Sequence, residues 1–599
     1  MQTFNDVHRQ FAEFFKADKL KPYAYLVSKK LTEGHICVNV DEIEVADLPE
    51  SYRKLIIDKN QLAKEAMVAG ANQEKQPFIL HNDRLYLQRY FAYETIILQR
   101  IYDFLHAGKS LRNERTQLLE KHKDFIFALF EDKKNNAVNN KTNWQTVAGI
   151  AAALNNFTII TGGPGTGKTT TVAKILAILF KINPDLKIAL AAPTGKAASR
   201  MAETLKGADL NVDEKLAEKF QSLEPFTIQR LLKFIYGSPY FKHNKSNPLN
   251  YDVVIIDESS MMDVALFAKL MDAIGPETRL ILLGDKDQLA SVEAGSLFGD
   301  LCQAQQQLNL FSHEKAAFIN SFIKSSENQI PKEKIIENSA HALFEHVIEL
   351  KESHRYSNEK GIGKFSKAVI QNDQYIIKSF ITNEDIQVTI DPDYSEKIFR
   401  NFVIGYEEFI NEKDIKKALK KLNKIRVLCA VREGEHGVRS INLKIEKYLQ
   451  QKGCLNINGI FYENRPIIIT QNYYDLNLFN GDVGIIRADE KGVLKAWFEN
   501  SEKDLKSYSP AYLSQSETVF AMTIHKSQGS EFDEVMVILP DSVNIPILTR
   551  ELLYTAVTRA KSKVFIQGTQ EVILQSAKSF VKRSSGIKDR FLENNYLHL

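Results

Sequence analysis

Cysteine is scarce in this chain, and its scarcity argues against several classes of protein. The four cysteines lie far apart in 599 residues and form no C-x-x-C pair: Cys37, Cys302, Cys429 and Cys454. We therefore do not expect a disulfide framework, a zinc ribbon or a four-cysteine iron–sulfur cluster. The pattern predicts a reduced, cytoplasmic protein.

Long apolar runs and an excess of one charge sign are also lacking. No stretch approaches the roughly 18 apolar residues of a membrane span. The opening MQTFNDVHRQF has no basic segment followed by an apolar run, so we expect no signal peptide. The 78 basic residues nearly balance 75 acidic ones, for a net charge of +3. This balance neither requires nor excludes nucleic-acid binding, because a groove can be basic when the whole chain is not.

Composition and length together predict a multidomain globular protein. Hydrophobic residues make up 44% and charged residues 26%, which is typical of globular chains and not of disordered, collagen-like or coiled-coil ones. At roughly 100–200 residues per domain, the length predicts about three to five domains. Residues 1–125 carry helical spacing in LYLQRYFAYETIILQRIYDFL but no catalytic pattern, and we expect a separate α+β domain there. Residues 126–143 are mostly polar and are predicted to be a linker.

From residue 144 onward, short apolar runs alternate with amphipathic segments. FTIITG, KIALAAP, DVVIIDE and RLILLGD each end at a polar or glycine-containing turn, which is typical of buried parallel strands. A second series begins at KIRVLCAV and resumes with DEVMVILP and SKVFIQG. We therefore predict two doubly wound α/β domains, over 144–345 and 346–599, with the site at the carboxyl ends of their strands.

Two segments interrupt these series. Residues 455–515 contain RPIIITQN, GDVGIIRAD and VLKAWFEN, which predict a small β-rich, barrel-like (SH3-like) insertion in the second α/β domain. Residues 236–252, YGSPYFKHNKSNPLNYD, are either a small insertion in the first domain or a surface loop.

The segment FTIITGGPGTGKTTT places a strand, a glycine-rich loop and a helix in the order that a phosphate-binding loop requires. The glycines let backbone N–H groups converge on a phosphate, and the helix N-terminus adds a partial positive charge. Lys168 can reach the β- and γ-phosphates, and the Thr169 hydroxyl can ligate Mg²⁺, which predicts ATP and Mg²⁺ as the bound groups. The predicted nucleotide-binding residues of the loop are Gly162, Gly163, Pro164, Gly165, Thr166, Gly167, Lys168, Thr169 and Thr170.

Hydrolysis at such a loop needs an acidic element, which the strand DVVIID provides. Asp257 at its end would hold Mg²⁺, and Glu258 after it would polarise the attacking water. Adjacent carboxylates are common at strand ends, but an apolar strand that follows a phosphate-binding loop gives this pair a specific role.

Four further side chains complete the candidate site. Gln288 in GDKDQLASVEAG follows a third strand and can contact the γ-phosphate or position water. Arg355 and Arg559 could each stabilise the transition-state charge as an arginine finger from the second α/β unit. Gln145, which precedes the loop, could bind the adenine edge. The predicted catalytic residues are therefore Lys168, Glu258, Gln288, Arg355 and Arg559.

Six segments occur in a fixed order: GGPGTGKTTT, APTGKAA, IIDESSMMD, GDKDQLASVEAG, TIHKSQGSEFDEV and LLYTAVTRAK. They resemble the motifs of superfamily 1 helicases, in the branch that moves 5′ to 3′ on single-stranded DNA. GHICVNV, LYLQRYFAYE, RVLCAVREGEHGVRSIN and ENRPIIITQN resemble the RecD family, over roughly residues 20 to 580. The resemblance implies two RecA-like motor domains and an ATP-dependent DNA helicase subunit of exodeoxyribonuclease V (RecBCD), acting in double-strand-break repair and recombination.

The resemblance also implies further site residues and partners. Gly529 and Glu531 would line the nucleotide cleft, and single-strand contacts would come from Pro193, Thr194, Thr523, His525 and Lys526. RecB-like and RecC-like subunits would be the partners in a bacterial cytosolic heterotrimer. Residues 1–125 would dock on them, and the nuclease site would belong to a partner. Relatives that act alone usually carry N-terminal helix–hairpin–helix repeats, and none is visible here. A stand-alone 5′–3′ helicase and an ATP-gated DNA-binding scaffold remain alternatives.

Overall fold

The computed structural model describes residues 6–70, 75–131, 142–207, 214–291, 293–295, 297–305, 307–337, 339, 341–357, 359–499 and 504–593. Across these ranges, no helix combines the length and the hydropathy that a membrane span needs. Most of the predicted linker, residues 132–141, lies outside the described residues.

The N-terminal part is a mixed sheet surrounded by short helices. Its four strands run in the order β1-β4-β3-β2, antiparallel except for the β2–β3 pair. A long helix, α5, follows the sheet and packs its apolar face, which includes Ile97, Ile101 and Phe104, into the core of the next domain. The elements are α1 (Val7–Phe14), α2 (Lys21–Thr32), β1 (Cys37–Asn39), α3 (Glu50–Arg53), α4 (Lys59–Leu62), β2 (Val68–Ala69), β3 (Phe78–His81), β4 (Arg84–Leu87), α5 (Gln88–Lys121) and α6 (Lys123–Phe130).

Helix α6 corrects the predicted start of the linker at residue 126. The run KDFIFALF is helical to Phe130, and Ile126, Leu129 and Phe130 are buried against the first α/β domain. Three apolar side chains are buried on one face of this helix, and their packing against the first α/β domain favours helix over linker at residues 126–130.

The first α/β domain is built on six parallel strands in the order β10-β5-β9-β8-β6-β7. Every residue of β5 and β9 is buried, as expected for central strands covered by helices on both faces. The elements are α7 (Trp144–Leu154), β5 (Phe157–Gly162), α8 (Lys168–Ile182), β6 (Ile188–Ala192), α9 (Gly195–Lys206), α10 (Glu214–Ser222), β7 (Phe226–Thr227), α11 (Ile228–Leu231), β8 (Val253–Ile256), α12 (Val264–Ala273), β9 (Arg279–Gly284), α13 (Leu297–Gln303), α14 (His313–Asn320) and β10 (Val347–Leu350).

Strand β10 corrects the predicted boundary between residues 345 and 346. It pairs in parallel with β5, Val347 opposite Ile159, and therefore belongs to the first sheet.

The predicted insertion at 236–252 is a surface loop. The loop and its flanks carry two isolated bridges, Phe234 with Phe241 and Asn244 with Asn247, and no helix or longer strand.

The second α/β domain has five parallel strands in the order β11-β20-β19-β12-β18, and a five-stranded antiparallel sheet is inserted between β12 and β18 in the order β16-β15-β14-β13-β17. This inserted sheet runs from residue 466 to residue 518, three residues beyond the predicted end. The elements are α15 (Gly361–Gln371), α16 (Gln374–Thr382), β11 (Val388–Asp391), α17 (Glu396–Val403), α18 (Glu407–Ile410), α19 (Ile415–Leu422), β12 (Ile425–Cys429), α20 (Val438–Gln451), β13 (Pro466–Ile469), β14 (Val483–Ala488), β15 (Leu494–Glu499), β16 (Leu505–Tyr508), β17 (Ser516–Thr518), β18 (Ala521–Thr523), β19 (Phe532–Ile538), α21 (Arg550–Val557), β20 (Ala560–Gln567) and α22 (Gln570–Lys578).

A C-terminal strap, residues 579–593, leaves the second α/β domain and crosses the first to reach the N-terminal part. It includes α23 (Ile587–Leu592). Arg583 donates to the backbone of the loop after β9, and Arg590 forms a buried ion pair with Glu94 of α5, Nη1 to Oε2 3.0 Å. This corrects the assignment of all residues after 346 to the second α/β domain, because the strap packs its apolar side chains elsewhere.

Candidate nucleotide and strand-binding site

A cavity of about 500 Å³ opens between the two α/β domains at the carboxyl ends of β5 and β8. We call it the interdomain cavity. Of the predicted residues, the following line it: Gln145, Pro164, Gly165, Thr166, Gly167, Lys168, Thr169, Thr170, Asp257, Glu258, Gln288, Arg355, Glu531 and Arg559. The predicted residues Gly162, Gly163 and Gly529 are not among its lining residues.

The glycine-rich loop between β5 and α8 forms one wall of the interdomain cavity. Gly167 has a φ of +81°, and a Cβ there would lie 2.3 Å from the Gln145 Nε2 atom, so the loop conformation requires glycine. Lys168 begins α8, and its Nζ donates to the carbonyls of Gly162 (2.6 Å) and Gly163 (3.2 Å). The ammonium is thereby held at the mouth of the loop, where a phosphate would meet it.

Asp257 and Glu258 follow β8 on the same wall. Burial, together with the adjacent Glu258 carboxylate, raises the pKa of Asp257 to about 6, and Lys168 opposes that rise. Glu258 lies in the left-handed region at φ +52°, and its N–H donates to Asp257 Oδ1 at 2.8 Å. A non-glycine residue in this region is strained, and such strain is concentrated at functional sites.

The donor set in the cavity fits Mg²⁺. Thr169 offers a hydroxyl and Asp257 a carboxylate, both hard oxygen ligands. Within the described part of the chain, no group of three His, Cys, Asp or Glu side chains could hold a metal ion by itself. This arrangement agrees with the way Mg²⁺ is usually bound, through one or two protein oxygens together with water and substrate phosphates.

Glu531 of the second α/β domain joins two arginines in the cavity. Its Oε1 accepts from Arg355 Nη2 at 2.5 Å and also pairs with Arg200 of α9. Burial acts to raise the pKa of Glu531, but the two guanidinium groups more than offset burial and lower it to about 2. The Nη1 atom of Arg355 is buried and finds no hydrogen-bond partner among the described residues. One donor of this cluster is therefore left for a further acceptor.

The approach of Arg355 differs from the prediction that it comes from the second α/β unit. Ser353 Oγ donates to the Pro164 carbonyl at 3.0 Å, and the His354 N–H donates to the Gly165 carbonyl at 2.8 Å. The segment after β10 is thus fastened to the glycine-rich loop, and Arg355 reaches the cavity from that side. Sequence order placed it between the two series, and only the pairing of β10 with β5 decides which side it joins.

Arg559 does come from the second α/β domain, immediately after α21. Its side chain is 3% exposed and donates to the carbonyls of Thr555 (3.1 Å) and Ser530 (3.3 Å). Burial lowers its pKa, while Glu258 and Glu531 oppose that fall. Gln288, on the other wall, has a buried Oε1 without a hydrogen-bond partner in the described residues. Both residues line the interdomain cavity.

The two domains are joined directly beside the cavity. Tyr554 OH donates to Asp285 Oδ2 at 3.0 Å, and the Leu289 N–H donates to Thr555 Oγ1 at 2.9 Å. Gln528 Nε2 donates to the Leu289 carbonyl at 2.6 Å. The loop that carries Gln288 therefore contacts the second α/β domain on both sides of Gln288.

Sequence reasoning missed six residues that line the cavity. Four of them lie on α9 with a spacing of three to four residues, which places them on one helical face. The sequence signal for these four residues was their spacing within and after APTGKAA. Whether that helical face points toward the cavity depends on how α9 packs. The missed residues are Lys174, Ala197, Arg200, Met201, Thr204 and His354.

The predicted strand contacts lie outside the interdomain cavity, at the ends of β6 and β18. The Thr194 hydroxyl accepts from the Ala197 N–H at 3.2 Å and caps α9. Thr523 Oγ1 accepts from the Lys526 N–H at 3.2 Å, and Lys526 Nζ pairs with Glu517 at 3.0 Å. Burial and the nearby Arg583 lower the pKa of His525. Thr194, Thr523, His525 and Lys526 are half-buried polar residues, and Pro193 before Thr194 is half-buried as well. Their role as strand contacts remains a prediction.

Three family models match separate parts of the chain. Residues 1–86 match the N-terminal domain of the RecBCD enzyme subunit RecD, residues 145–294 match an AAA domain, and residues 518–567 match a UvrD-like helicase C-terminal domain.

Individual relatives match over most of the chain. RecBCD enzyme subunit RecD of Haemophilus influenzae is 34% identical over 94% of this chain and 92% of its own length. The same subunit of Mycolicibacterium smegmatis is 32% identical over 94% and 92%. The ATP-dependent RecD2 DNA helicase of Deinococcus radiodurans is 27% identical over 70% of this chain but only 47% of its own length.

Proposed function

The chain belongs to the RecD family of RecBCD enzyme subunits, and from this premise we propose that it moves along single-stranded DNA from 5′ to 3′. It is an ATP-dependent DNA helicase of recombination and repair. The observation that supports a motor is the divided interdomain cavity. The glycine-rich loop lies on one side, and Glu531 and Arg559 reach it from the other. A site divided in this way changes its geometry when the two domains move.

Each residue of the cavity has a role in this proposal. The loop amides and Lys168 hold the β- and γ-phosphates, and Gln145 contacts the adenine edge. Glu258 takes a proton from the attacking water, and Gln288 orients that water through its buried amide. Arg355 and Arg559 stabilise the negative charge that develops on the transferred phosphoryl group.

Mg²⁺ would be held by Thr169 and Asp257 together with the phosphates, and it would neutralise part of their charge. Asp257 must be ionised to serve as a ligand, and Lys168 favours that form. Removal of divalent cations with EDTA should abolish hydrolysis, and added Mg²⁺ should restore it.

Stepping would follow from strand contacts on both domains. Pro193 and Thr194 belong to the first α/β domain, whereas Thr523, His525 and Lys526 belong to the second. Backbone amides and small polar groups of this kind hold phosphates without selecting a base sequence. When the cavity closes, the two sets approach each other, and alternating affinity between them converts closure into directional movement.

The direction of movement is tested on biotinylated single strands that carry streptavidin at one end. A 5′–3′ motor releases streptavidin from the 3′ end in an ATP-dependent manner and leaves the 5′ end blocked. Release from the 5′ end alone would contradict the proposed direction. Binding of the strand without release from either end would favour an ATP-gated scaffold.

Partners and location form a further part of the proposal. We expect residues 1–125 to dock on RecB-like and RecC-like subunits in the bacterial cytosol, with the nuclease site on a partner. The match of residues 1–86 to the N-terminal domain of a RecBCD subunit supports this. Co-purification from the native cell should recover two large partners in equal amounts, with ATP-dependent double-strand nuclease activity. Recovery of the chain alone, with ATPase activity that single-stranded DNA stimulates, would indicate an independent helicase.

We also propose an SH3-like form for the inserted antiparallel sheet.

A further inference from the structure

A second cavity, of about 340 Å³, lies beside the interdomain cavity. Three parts of the chain meet there. The first α/β domain contributes the loop after β9 and helix α13, the second contributes the N-terminus of α21, and the C-terminal strap contributes residues 580–584. Gln288 lines both cavities and separates them.

The charge of the second cavity favours an anion. Four cations line it, against two carboxylates: Lys286, Arg550, Lys582 and Arg583 against Asp300 and Glu551. Burial raises the pKa of Asp300 to about 7, so this carboxyl is partly uncharged at neutral pH. Glu551 is already engaged by Arg550 Nε and by the Val581 N–H, each at 3.1 Å.

Two of the four cations have no carboxylate partner. Lys286 is paired with Asp287 and Glu349. Among the described residues, no carboxylate lies within 4.0 Å of Lys582 or Arg583. Arg583 donates instead to the Glu293 carbonyl at 3.2 Å, and its Nε has no partner in the described residues. The cavity therefore offers two cations without a carboxylate at ion-pair distance, of which Arg583 is held by the Ser291 and Glu293 oxygens and Lys582 is exposed.

An aromatic ring stands at the edge of this cavity. Phe580 is 47% exposed and lines the cavity. The Arg550 guanidinium lies 5.2 Å and the Lys582 ammonium 5.5 Å from its ring centroid. An exposed ring between two cations suits a nucleotide of a single strand, because a base can stack on the ring while its phosphate meets the cations.

The position of the cavity agrees with this chemistry. Arg583 lies close enough to His525, one of the predicted strand contacts, to lower the pKa of its imidazole. It also donates to Ser291 in the loop that carries Gln288. The second cavity therefore lies near both the predicted strand contact His525 and the loop that carries Gln288.

We propose that the second cavity is a further single-strand subsite, in which Lys582, Arg583 and Arg550 hold a phosphate and Phe580 stacks on the adjacent base. This inference rests on the proposed function, because it extends the strand path of the helicase. Gln288 contacts both this subsite and the nucleotide cavity, so strand occupancy here also affects the residue that orients the attacking water.

The test uses the full-length chain and fluorescent oligodeoxythymidylate, with binding followed by anisotropy over a range of salt concentrations. Lys582→Ala should weaken binding about three- to tenfold. It should also reduce the slope of log K against log salt by about 0.7, the value of one single-strand phosphate contact. Phe580→Ala should weaken binding about fivefold or more and leave the slope unchanged, because stacking releases no counterion.

The matched control is Lys588→Ala, which removes an exposed lysine from the same strap outside the cavity. Equal effects of Lys582→Ala and Lys588→Ala would overturn the proposal. Inorganic pyrophosphate separates a strand subsite from a general anion site. The cavity takes free anions if pyrophosphate protects Lys582 from chemical modification while Lys582→Ala leaves oligonucleotide affinity unchanged. The proposal then fails. A wild-type chain that binds no strand at all would contradict the proposed function itself, which is a separate outcome.

Discussion

Replacing Glu531 by glutamine should tighten nucleotide binding, although it removes an ionised residue from the site. Glu531 lies between Arg200 of α9 and Arg355 beside the glycine-rich loop. A phosphate that enters the interdomain cavity must compete with this carboxylate for both guanidinium groups. Glutamine keeps the shape of the side chain and removes the competing charge.

The lowered pKa of Glu531 sets the size of the effect. The fall from 4.5 to about 2 corresponds to about 3 kcal/mol, at about 1.36 kcal/mol for each pH unit. The side chain is 15% exposed, so solvent screening removes only part of this value. A gain of about 3 kcal/mol would equal about a hundredfold in affinity. Because the glutamine oxygen still accepts from one arginine, we expect a gain of about tenfold.

The same shift defines the pH range. The pKa of Glu531 is lower in the folded chain than in the unfolded one. Its contribution to stability is therefore fully present above about pH 4.5 and is lost as the pH falls toward 2. Between pH 6 and 9, the difference between wild type and Glu531→Gln should stay constant, both in the free energy of unfolding and in nucleotide affinity.

The assay is a titration of the full-length chain with a fluorescent ADP analogue at pH 7.5. Glu517→Gln is the matched control, because Glu517 also joins two cations, Arg432 at 2.5 Å and Lys526 at 3.0 Å, but lies outside the interdomain cavity. Its nucleotide affinity should equal that of wild type. Unchanged or weaker nucleotide binding by Glu531→Gln would refute the competition, and an equal gain in the control would show that the effect is a general one of net charge.

Three further predictions concern the loop and the strap. Lys168→Gln should lower ATP turnover at least about a hundredfold with unchanged circular dichroism, and retained turnover would show that the loop does not act on ATP. Gly167→Ala places a Cβ 2.3 Å from a neighbouring side-chain nitrogen at a φ of +81°. This substitution should weaken nucleotide binding. The control Gly453→Ala lies at φ +77° in open space, so it should lower the free energy of unfolding in urea by about 1 kcal/mol and leave nucleotide binding unchanged. Glu94→Ala removes the carboxylate that pairs with the buried Arg590 guanidinium, at a cost of about 3–5 kcal/mol. Hydrogen exchange should then rise in residues 579–593 and return toward wild type in Glu94→Leu combined with Arg590→Met. Uniform exchange in all three proteins would mean that the ion pair does not hold the strap.

Local sequence patterns account for the parts of the site that depend on short spacings. The glycine-rich loop needs a strand, a turn with positive φ and a helix N-terminus close together in the sequence, and FTIITGGPGTGKTTT contains all three. Asp257 and Glu258 follow a run of four apolar residues that is recognisable as a central strand. Because the carboxyl ends of parallel strands meet at one edge of the sheet, their approach to Lys168 could be predicted without coordinates.

Long-range pairing decided the remainder. The assignment of β10 to the first sheet places Arg355 beside the glycine-rich loop, and neighbouring residues carry no sign of that pairing. Arg200 was missed because its helical face reaches the cavity only through the packing of α9, and its partner Glu531 is 331 positions away along the chain. The strap returns to the N-terminal part through the buried contact of Arg590 with Glu94. Sequence alone determines which short segments can bind a phosphate or form a buried strand. Which distant segments meet is determined only when the whole chain folds, because that choice depends on the total surface that each packing buries.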